Sequence, residues 1–367
     1  MADPKYSQDT FKPLLNRVAQ KPEYFTAKDL RLALEHVFTP GALPDAVVGA
    51  FLTALHLHRI ERRPEMLQTA ASVLRERALK ADVEKWDEDF VVDIVGTGGD
   101  GYSLFNVSTT AAIVAAGAGA RVIKHGSRAS TSASGSADLL QSLDCLFPAP
   151  SPDIANPIPK IPFTFILAPH YHPALAHLAP YRKALPFRTM FNVLGPLLNP
   201  AKPKGMVLGV AEKEIGETFA RSVKEGGVQR AMVVCGYEGL DEISCASPTR
   251  VWMFDSAKEQ QIRETTVSPA DFGLKAHPLA DVAGTSPEAN AHTFERLLRR
   301  QGTEVEADLL PVLDFVLMNA SALLVVAGVA KDFKEGVAVA RASVVNGKAW
   351  EALEIFREQG QKAAVLA

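Results

Sequence analysis

The clearest pattern of hydrophobic and polar positions is a strand–loop–helix succession that occurs twice in the middle of the chain. In the first occurrence, residues 91–95 are mostly β-branched and end at Gly96, which is typical of a buried parallel strand. A polar, glycine-rich loop follows. Thr110 to Ala118 is small and apolar enough to predict a buried helix, with Ser108 or Thr109 as its cap.

In the second occurrence, a strand over 121–124 opens onto a loop over 124–136 that holds Arg128 and, between Ser130 and Ser136, five serines or threonines. A helix over 137–143 follows. Strands joined through helices pair in parallel, so we expect the two loops side by side at the carboxyl edge of one sheet.

The first 85 residues show only helical periodicity. Apolar residues recur at helical intervals over 11–19, and Thr26 with Asp29 predicts a capped helix. His56 and His58 invite interpretation as metal ligands, but surface exposure or packing between helices is favoured. The helices predicted here are 11–19, 26–37, a segment from Pro44 that includes Val47 to Leu55, and 64–79.

Beyond residue 143, strands and helices continue to alternate. Residues 147–162 contain six prolines and predict a linker, and 269–284 reads as irregular. Strands are expected at 163–167, 205–210, 231–235, 251–254 and 261–267, and helices at 212–223, 288–300, 309–320, 333–344 and 350–358.

These elements predict an α/β protein with two domains. A small all-helical N-terminal domain covers 1–85, and a larger α/β domain covers 86–367, with a central, mostly parallel sheet flanked by helices. The boundary is placed in the segment 80–89, which is charged and lacks apolar periodicity. A chain of 367 residues is long enough for two cores.

Composition narrows the function classes. Hydrophobic content of 47% and charged content of 22% are typical of a soluble globular protein, and a net charge of −3 gives no reason to expect a nucleic-acid or membrane partner. Three scattered cysteines argue against a disulfide framework or zinc site. The first residues do not resemble a signal peptide, and the most apolar stretch, 312–330, is interrupted by polar residues, so a cytoplasmic location is expected.

The two loops have the chemistry of phosphate sites. Unpaired N–H groups at a helix start attract anions, glycines allow close approach of the backbone, and hydroxyl groups add donors. Lys124 and Arg128 would neutralise negative charge. Each loop alone could be an ordinary turn rich in Gly and Ser, but the pair together favours a polyphosphate ligand.

Specific motifs within these loops resemble a known family. GTGGD at 96–100, NVST at 106–109, and KHGSR and SGSAD within 124–138 resemble the signatures of the anthranilate phosphoribosyltransferases, tryptophan-pathway enzymes with the fold of pyrimidine nucleoside phosphorylases. The resemblance extends over nearly the whole chain. It implies transfer of the phosphoribosyl group of 5-phosphoribosyl 1-pyrophosphate to the amino group of anthranilate. The products are N-(5-phosphoribosyl)anthranilate and pyrophosphate, in the second step of tryptophan synthesis from chorismate.

By this resemblance, both loops bind the phosphoribosyl donor. The family also implies a homodimer formed through the helical domain, and a helical insertion at about 168–190 that packs on that domain. The implied donor-binding residues are Gly96, Gly98, Gly99, Asp100, Asn106, Val107, Ser108, Thr109, Lys124, His125, Gly126, Ser127, Arg128, Ala129, Ser130, Thr131, Ser132 and Ser136.

The acceptor site is implied in the same way. Arg182 would bind the carboxylate of anthranilate, a task that suits a planar guanidinium. Without the resemblance, Arg182 could be a solvated helix charge and His172 a helix cap, and Arg188 is expected in an ion pair or helix-end contact. The implied anthranilate-binding residues are Gly96, His125, Ser127, His172, Arg182, Gly195 and Pro196.

A metal site is expected where Asp241 and Glu242 follow a strand. Adjacent carboxylates are costly to place together unless a cation lies between them, although two exposed loop acids are the alternative. The resemblance implies that Asp241, Glu242 and Ser108 bind Mg2+. No nucleophile or general base is assigned.

Two positions depart from the family pattern, and three other functions stay open. Ser127 stands where the family usually has Asn, and Leu104 where Thr or Ser is common, and both are expected to tune affinity. The alternatives are a pyrimidine nucleoside phosphorylase of the same fold, a non-catalytic relative that binds phosphorylated ligands, and an enzyme that accepts a substituted benzoate.

Overall fold

The computed structural model describes residues 5–129, 133–151, 157–299 and 305–366. Its N-terminal part is a helical bundle, and Thr26 caps the second helix as predicted. The Thr26 hydroxyl accepts a hydrogen bond from the Asp29 backbone N–H, and the Asp29 carboxylate accepts one from the Thr26 backbone N–H. The bundle comprises α1 (Gln8–Gln20), α2 (Ala27–Val37), α3 (Asp45–Leu57) and α4 (Pro64–Glu76).

A seven-stranded sheet forms the centre of the remaining chain. Its strand order is β5-β3-β2-β6-β7-β8-β9, in which the first five strands are parallel and the last two antiparallel. The predicted fold class is confirmed. The strands are β1 (Asp82–Val83), β2 (Val91–Gly96), β3 (Arg121–Gly126), β4 (Pro157–Ile158), β5 (Phe163–Leu167), β6 (Gly205–Gly209), β7 (Arg230–Gly236), β8 (Thr249–Asp255) and β9 (Glu259–Val267).

Strands β1 and β4 correct two sequence predictions. They form a separate parallel pair, so the first 85 residues are not purely helical and the proline-rich segment is not entirely without structure. Pairs of two residues are too short to produce a periodic pattern. Two turns of 3-10 helix, Pro269–Phe272 and Leu279–Val282, lie within the segment predicted to be irregular.

Helices cover both faces of the sheet. Along β6, Met206 and Leu208 face the core that includes the helical bundle, whereas Val207 faces the core built from α5 and the C-terminal helices. The bundle is therefore packed into one continuous core with one face of the sheet. The helices are α5 (Val107–Gly117), α6 (Ser136–Ser142), α7 (Ala168–Tyr171), α8 (Pro173–Ala184), α9 (Met190–Val193), α10 (Gly216–Glu225), α11 (Pro287–Leu298), α12 (Leu310–Ala327), α13 (Phe333–Val345) and α14 (Lys348–Leu366).

Helix α12 is the most apolar helix of the α/β part. Among the described residues, one segment, Ala307–Ala327, is long and apolar enough to cross a membrane, but 78% of its most apolar window is buried inside the protein. It packs against α5 and α13. Its apolar composition is thus accounted for by its central position in the core.

Candidate active site

A cavity of about 570 Å³ lies at the carboxyl ends of β2 and β3. Its walls are the loops after these strands, the inner side of α8, the turn after α9 and the loop after β7. The predicted residues that line it are Gly96, Gly98, Gly99, Asp100, Asn106, Val107, Ser108, Lys124, His125, Gly126, Ser127, Arg128, Ala129, Ser136, His172, Arg182, Gly195, Pro196, Asp241 and Glu242.

Four predicted donor-binding residues are not placed in this wall. Thr109 is fully buried within α5 and does not line the cavity, while Ser130, Thr131 and Ser132 lie outside the described residues. The predicted cap was also wrong. Asn106 occupies the N-cap position, which places Ser108 and Thr109 in the first turn of α5 rather than before it.

Arg188 shapes the first loop, Thr97 to Gly101. Its guanidinium donates to the carbonyl oxygens of Gly98, at 2.8 Å, and Thr97, at 2.9 Å. A longer contact of 3.5 Å joins it to the Asn192 carbonyl in α9. The expected helix-end contact is present. An ion pair is not found among the described residues, because the partners of Arg188 are backbone oxygens.

Glycines are required where this loop meets its neighbours. Gly99 has φ +83°, and a Cβ atom there would lie 1.8 Å from Nη1 of Arg188. At Gly96, a Cβ atom would lie 2.2 Å from Oδ2 of Asp241. The Gly98 N–H donates to the same carboxylate oxygen at 2.6 Å. The loop is therefore packed directly against the acidic loop after β7.

Asn106 joins the two loops. Its side-chain NH2 donates to the Ser134 carbonyl at 3.0 Å, and its side-chain oxygen accepts from the Ser134 hydroxyl at 3.0 Å and from Asn290 at 2.8 Å. Sequence reasoning missed Ser134 and Asn290. The run of hydroxyl residues after β3 could have indicated Ser134, whereas no local signal marks Asn290, which lies 184 positions away in α11.

Three carboxyl groups cluster at one end of the cavity. Burial, followed by the nearby Asp100, raises the pKa of Asp241 to about 7. Burial, followed by Asp241, raises the pKa of Glu242, which is hydrogen-bonded to Ser108. Asp241 is buried and Glu242 partly buried, so these are not two exposed loop acids. Carboxylates that repel one another and a hydroxyl oxygen form a donor set that suits Mg2+.

Lys124 is buried beside these acids. Its ammonium donates to the Ile94 carbonyl oxygen and, at 3.4 Å, to the Ser108 hydroxyl. Burial lowers the pKa of Lys124, while Asp93, Glu242 and Asp241 act in the opposite direction. Lys124 therefore neutralises protein carboxylates as well as facing the cavity.

Asp93 was missed from the sequence. It is fully buried in β2, and burial raises its pKa to about 6. It accepts a hydrogen bond from Asn199 at 2.9 Å. An acidic residue within an otherwise apolar strand was the available signal. Together with Asn199, it ties β2 to the segment that follows the Gly195–Leu197 turn.

The cavity lining also combines two neutral histidines with a cation. The His125 and His172 rings meet edge to face, with centroids 5.2 Å apart. Burial lowers the pKa of His125 to about 3 and that of His172 to about 4, so both rings are neutral at pH 7. His172 precedes α8, but its side chain makes no capping hydrogen bond.

Arg182 projects from α8 into the cavity. Its Nε atom is buried without a hydrogen-bond partner, and within the described ranges no acidic side chain forms an ion pair with it. Burial, and then Arg188, lower its pKa. Leu175 and Phe191 line the same cavity. Arg182 is thus not a solvated helix charge, and its unpaired guanidinium beside apolar side chains is suited to an aromatic acid.

Known proteins are similar to this chain over nearly its whole length. Residues 88–350 match the "Glycosyl transferase family, a/b domain" and residues 12–78 the "Glycosyl transferase family, helical bundle domain". An anthranilate phosphoribosyltransferase of Schizosaccharomyces pombe is 43% identical over 332 residues, which cover 90% of this chain and 91% of the relative. The chain belongs to the anthranilate phosphoribosyltransferase family. The family resemblance read from the loop motifs is confirmed.

Solved structures of the anthranilate phosphoribosyltransferase family agree in fold. The enzyme of Saccharomyces cerevisiae in complex with PRPP and Mg is 31% identical, with a TM-score of 0.87 and coverage of 97% of this chain and 99% of that one. The same enzyme in complex with 4-fluoroanthranilate is 30% identical, with a TM-score of 0.84 and the same coverage.

Proposed function

We propose that this protein is a Mg2+-dependent phosphoribosyltransferase that joins the phosphoribosyl group of 5-phosphoribosyl 1-pyrophosphate to the amino group of anthranilate. The observation that carries the proposal is the guanidinium of Arg182, which has no acidic partner among the described residues and lines one cavity together with two glycine- and serine-rich loops in a member of this family. A nucleoside phosphorylase has less use for a cation that suits an aryl carboxylate.

In this proposal the two loops hold the donor. Backbone N–H groups of the first loop and the hydroxyl and amide groups of the second face the phosphates and ribose, with Lys124 and Arg128 adding positive charge. Asp241, Glu242 and Ser108 would hold Mg2+, with Asp100 close by. When bound, the ion supplies positive charge to the departing pyrophosphate.

Arg182 and the neutral histidines position the acceptor. Because an aromatic amine is largely unprotonated at neutral pH, it needs orientation more than a strong base. Neutral His125 and His172 can contact an aromatic ring without competing with Arg182 for the carboxylate. The sugar centre would pass through an oxocarbenium-like state, so no covalent nucleophile is required. Packing of the helical bundle beside the cavity would help to exclude water.

Anthranilate fluorescence provides the test. With donor and Mg2+ present, fluorescence should decrease, and a chelator should stop the decrease. Asp241→Asn with Glu242→Gln should lower turnover and shift the Mg2+ titration to higher concentration. An unchanged titration would contradict the metal assignment, and phosphorolysis of uridine without anthranilate turnover would favour the phosphorylase alternative.

We also propose a domain organisation, an oligomeric state and a cellular location for this enzyme. We place the domain boundary at 85/86, with the segment 168–190 packed on the helical domain. Leu178, buried in the core of the bundle, and a hydrogen bond of 2.8 Å from the Tyr181 hydroxyl to Asp45 support this packing. A homodimer formed through the helical domain is supported by Leu57, an apolar side chain that is 71% exposed. We also propose a cytoplasmic location, which the three free cysteines support.

A further inference from the structure

We propose that Glu61, a residue of the helical domain that does not itself line the cavity, is a positioning residue that holds Arg188 against the first loop. The inference rests on the proposed function only in that this loop is taken to hold the donor. It also gives a role to His56, which the sequence analysis singled out as a possible metal ligand without assigning it a function.

Glu61 connects the helical domain to α9. It lies in the turn after α3 and is 10% exposed in its side chain. One carboxylate oxygen accepts from the Met190 backbone N–H at 3.0 Å. The other is 2.9 Å from Nδ1 of His56. Met190 is the first residue of α9, so Glu61 supplies an acceptor to an N–H group that lacks a partner within its own helix.

A second contact lies on the other side of Arg188. The His56 ring stacks on Phe187, with centroids 4.2 Å apart and planes at 16°. Thus the residue before Arg188 and the second residue after it are both held by the His56–Glu61 pair. The backbone of Arg188 has little freedom between these anchors.

The side chain of Arg188 connects this fixed backbone to the first loop. It donates to the Thr97 and Gly98 carbonyl oxygens, and the Gly98 N–H donates to Asp241. Hydrogen bonds at both ends of the backbone segment 188–190 therefore connect the helical domain to the first loop and, through Gly98, to the acidic cluster. Loss of Glu61 should loosen the loop without removing any group that faces the cavity.

Hydrogen exchange of the first loop tests this directly. In Glu61→Ala, peptides covering residues 96–104 should exchange faster than in the natural protein. Glu61→Gln retains an oxygen acceptor for Met190 and should stay close to the natural protein, while Glu65→Ala, which removes an exposed acid on α4, should have no effect. Unchanged exchange of this loop in a folded Glu61→Ala protein would overturn the inference. This measurement needs no substrate, so it stays informative even if the proposed function fails.

A double-mutant cycle tests the route. The dissociation constant for magnesium pyrophosphate should rise about tenfold in Glu61→Ala, because a loop that is held less firmly must be ordered when the ligand binds. In an Arg188→Lys background, the same substitution should change it less than about twofold, because the link is already broken. Equal effects in both backgrounds would show that Glu61 does not act through Arg188. Should the natural protein fail to bind magnesium pyrophosphate, the proposed function is at fault, and loop exchange still decides the role of Glu61.

Discussion

At the scale of single residues, two arginines of one short segment have different surroundings and therefore different tasks. Arg188 donates to backbone carbonyl oxygens, whereas Arg182 lines the cavity without an acidic partner among the described residues. A partly buried cation without a counter-charge is costly, so a ligand carboxylate would gain from meeting it. Sequence spacing alone does not distinguish the two.

Substitution of Arg182 should therefore affect mainly the acceptor. Arg182→Ala is expected to raise the KM for anthranilate about 10- to 100-fold, because charge-assisted hydrogen bonds contribute about 1.5–3 kcal/mol. The KM for the donor should change much less. Steady-state kinetics with each substrate varied in turn measures both, with exposed Lys183→Ala as the control. A larger effect on the donor would mean that the acceptor pocket is placed wrongly.

The buried histidines make a residue-scale prediction about pH. Burial, followed by His172, lowers the pKa of His125 to about 3, so the folded protein binds this proton less readily than the unfolded chain. The stability from neutral His125 is present above about pH 6.5 and is lost as the pH falls toward 3. Between pH 6 and pH 4, His125 should lower the free energy of unfolding by roughly 1 kcal/mol for each unit of decrease in pH. This decrease should be absent in His125→Gln.

Urea titrations at pH 7 and pH 5 check this prediction. The comparison must be between proteins, because the raised pKa values of Asp93 and Asp241 change stability with pH in the opposite direction. Exposed His58→Gln is the control and should keep the pH dependence of the natural protein. Equal pH dependence in His125→Gln and the natural protein would be evidence against a buried neutral ring.

At the scale of elements, the site depends on loops packed so closely that side chains are excluded. Gly99 and Gly101 both have left-handed backbones, with φ +83° and +80°, but a Cβ atom meets Arg188 only at Gly99 and has nothing within 4 Å at Gly101. The same backbone strain therefore occurs with and without a steric clash. A comparison of Gly99 with Gly101 therefore distinguishes the effect of a left-handed backbone from the effect of close packing.

Alanine substitutions at Gly99 and Gly101 should therefore have different effects. Gly101→Ala should cost about 1 kcal/mol of stability from backbone strain. Gly99→Ala adds displacement of the Arg188 guanidinium and should also raise the KM for the donor by about tenfold or more. Thermal unfolding and donor kinetics on both variants measure the two effects. Similar kinetics for the two variants would show that the Arg188 contact does not shape the donor site.

Local sequence patterns predicted the strands and helices around the site well, but not the side-chain contacts that join them. The alternation around β2 and β3 depends on nearest neighbours, and the loops were found side by side as expected. The cap of α5 was missed by two residues or more because Asn106, Ser108 and Thr109 are all suitable cap residues. Ser134 lay within reach of sequence reasoning. Asn290 and Glu61 could not be predicted from the sequence, since their partners are distant in the chain.

At the scale of the whole molecule, the helical bundle shares one core with a face of the sheet. Phe219 and Trp252 of the α/β part belong to the same apolar cluster as Phe11 and Phe51 of the bundle. The bundle still leaves Leu57 exposed, on the surface for which we propose a contact between subunits. A large solvated apolar side chain is a reasonable anchor for such a contact.

Leu57→Arg should therefore weaken self-association. We expect the natural protein to sediment as a dimer and the variant to dissociate at about tenfold or more higher concentration, because a buried charge would be unpaired in the interface. Leu310→Arg, at an apolar position 41% exposed at the start of α12, is the matched control. Sedimentation velocity over a concentration series provides the measurement. A natural protein that is monomeric at all concentrations would contradict the proposed dimer.

By itself, the sequence determined the succession of helices and strands, the two phosphate-type loops and the family, because each depends on residues close together in the chain. Only the tertiary structure decided which polar groups meet. Asp241 reaches Gly98 across 143 positions, and Glu61 reaches Met190 across 129. Such contacts leave no local pattern, since the folding of intervening segments brings the partners together. They determine which arginine is free to bind a ligand and which one holds a loop.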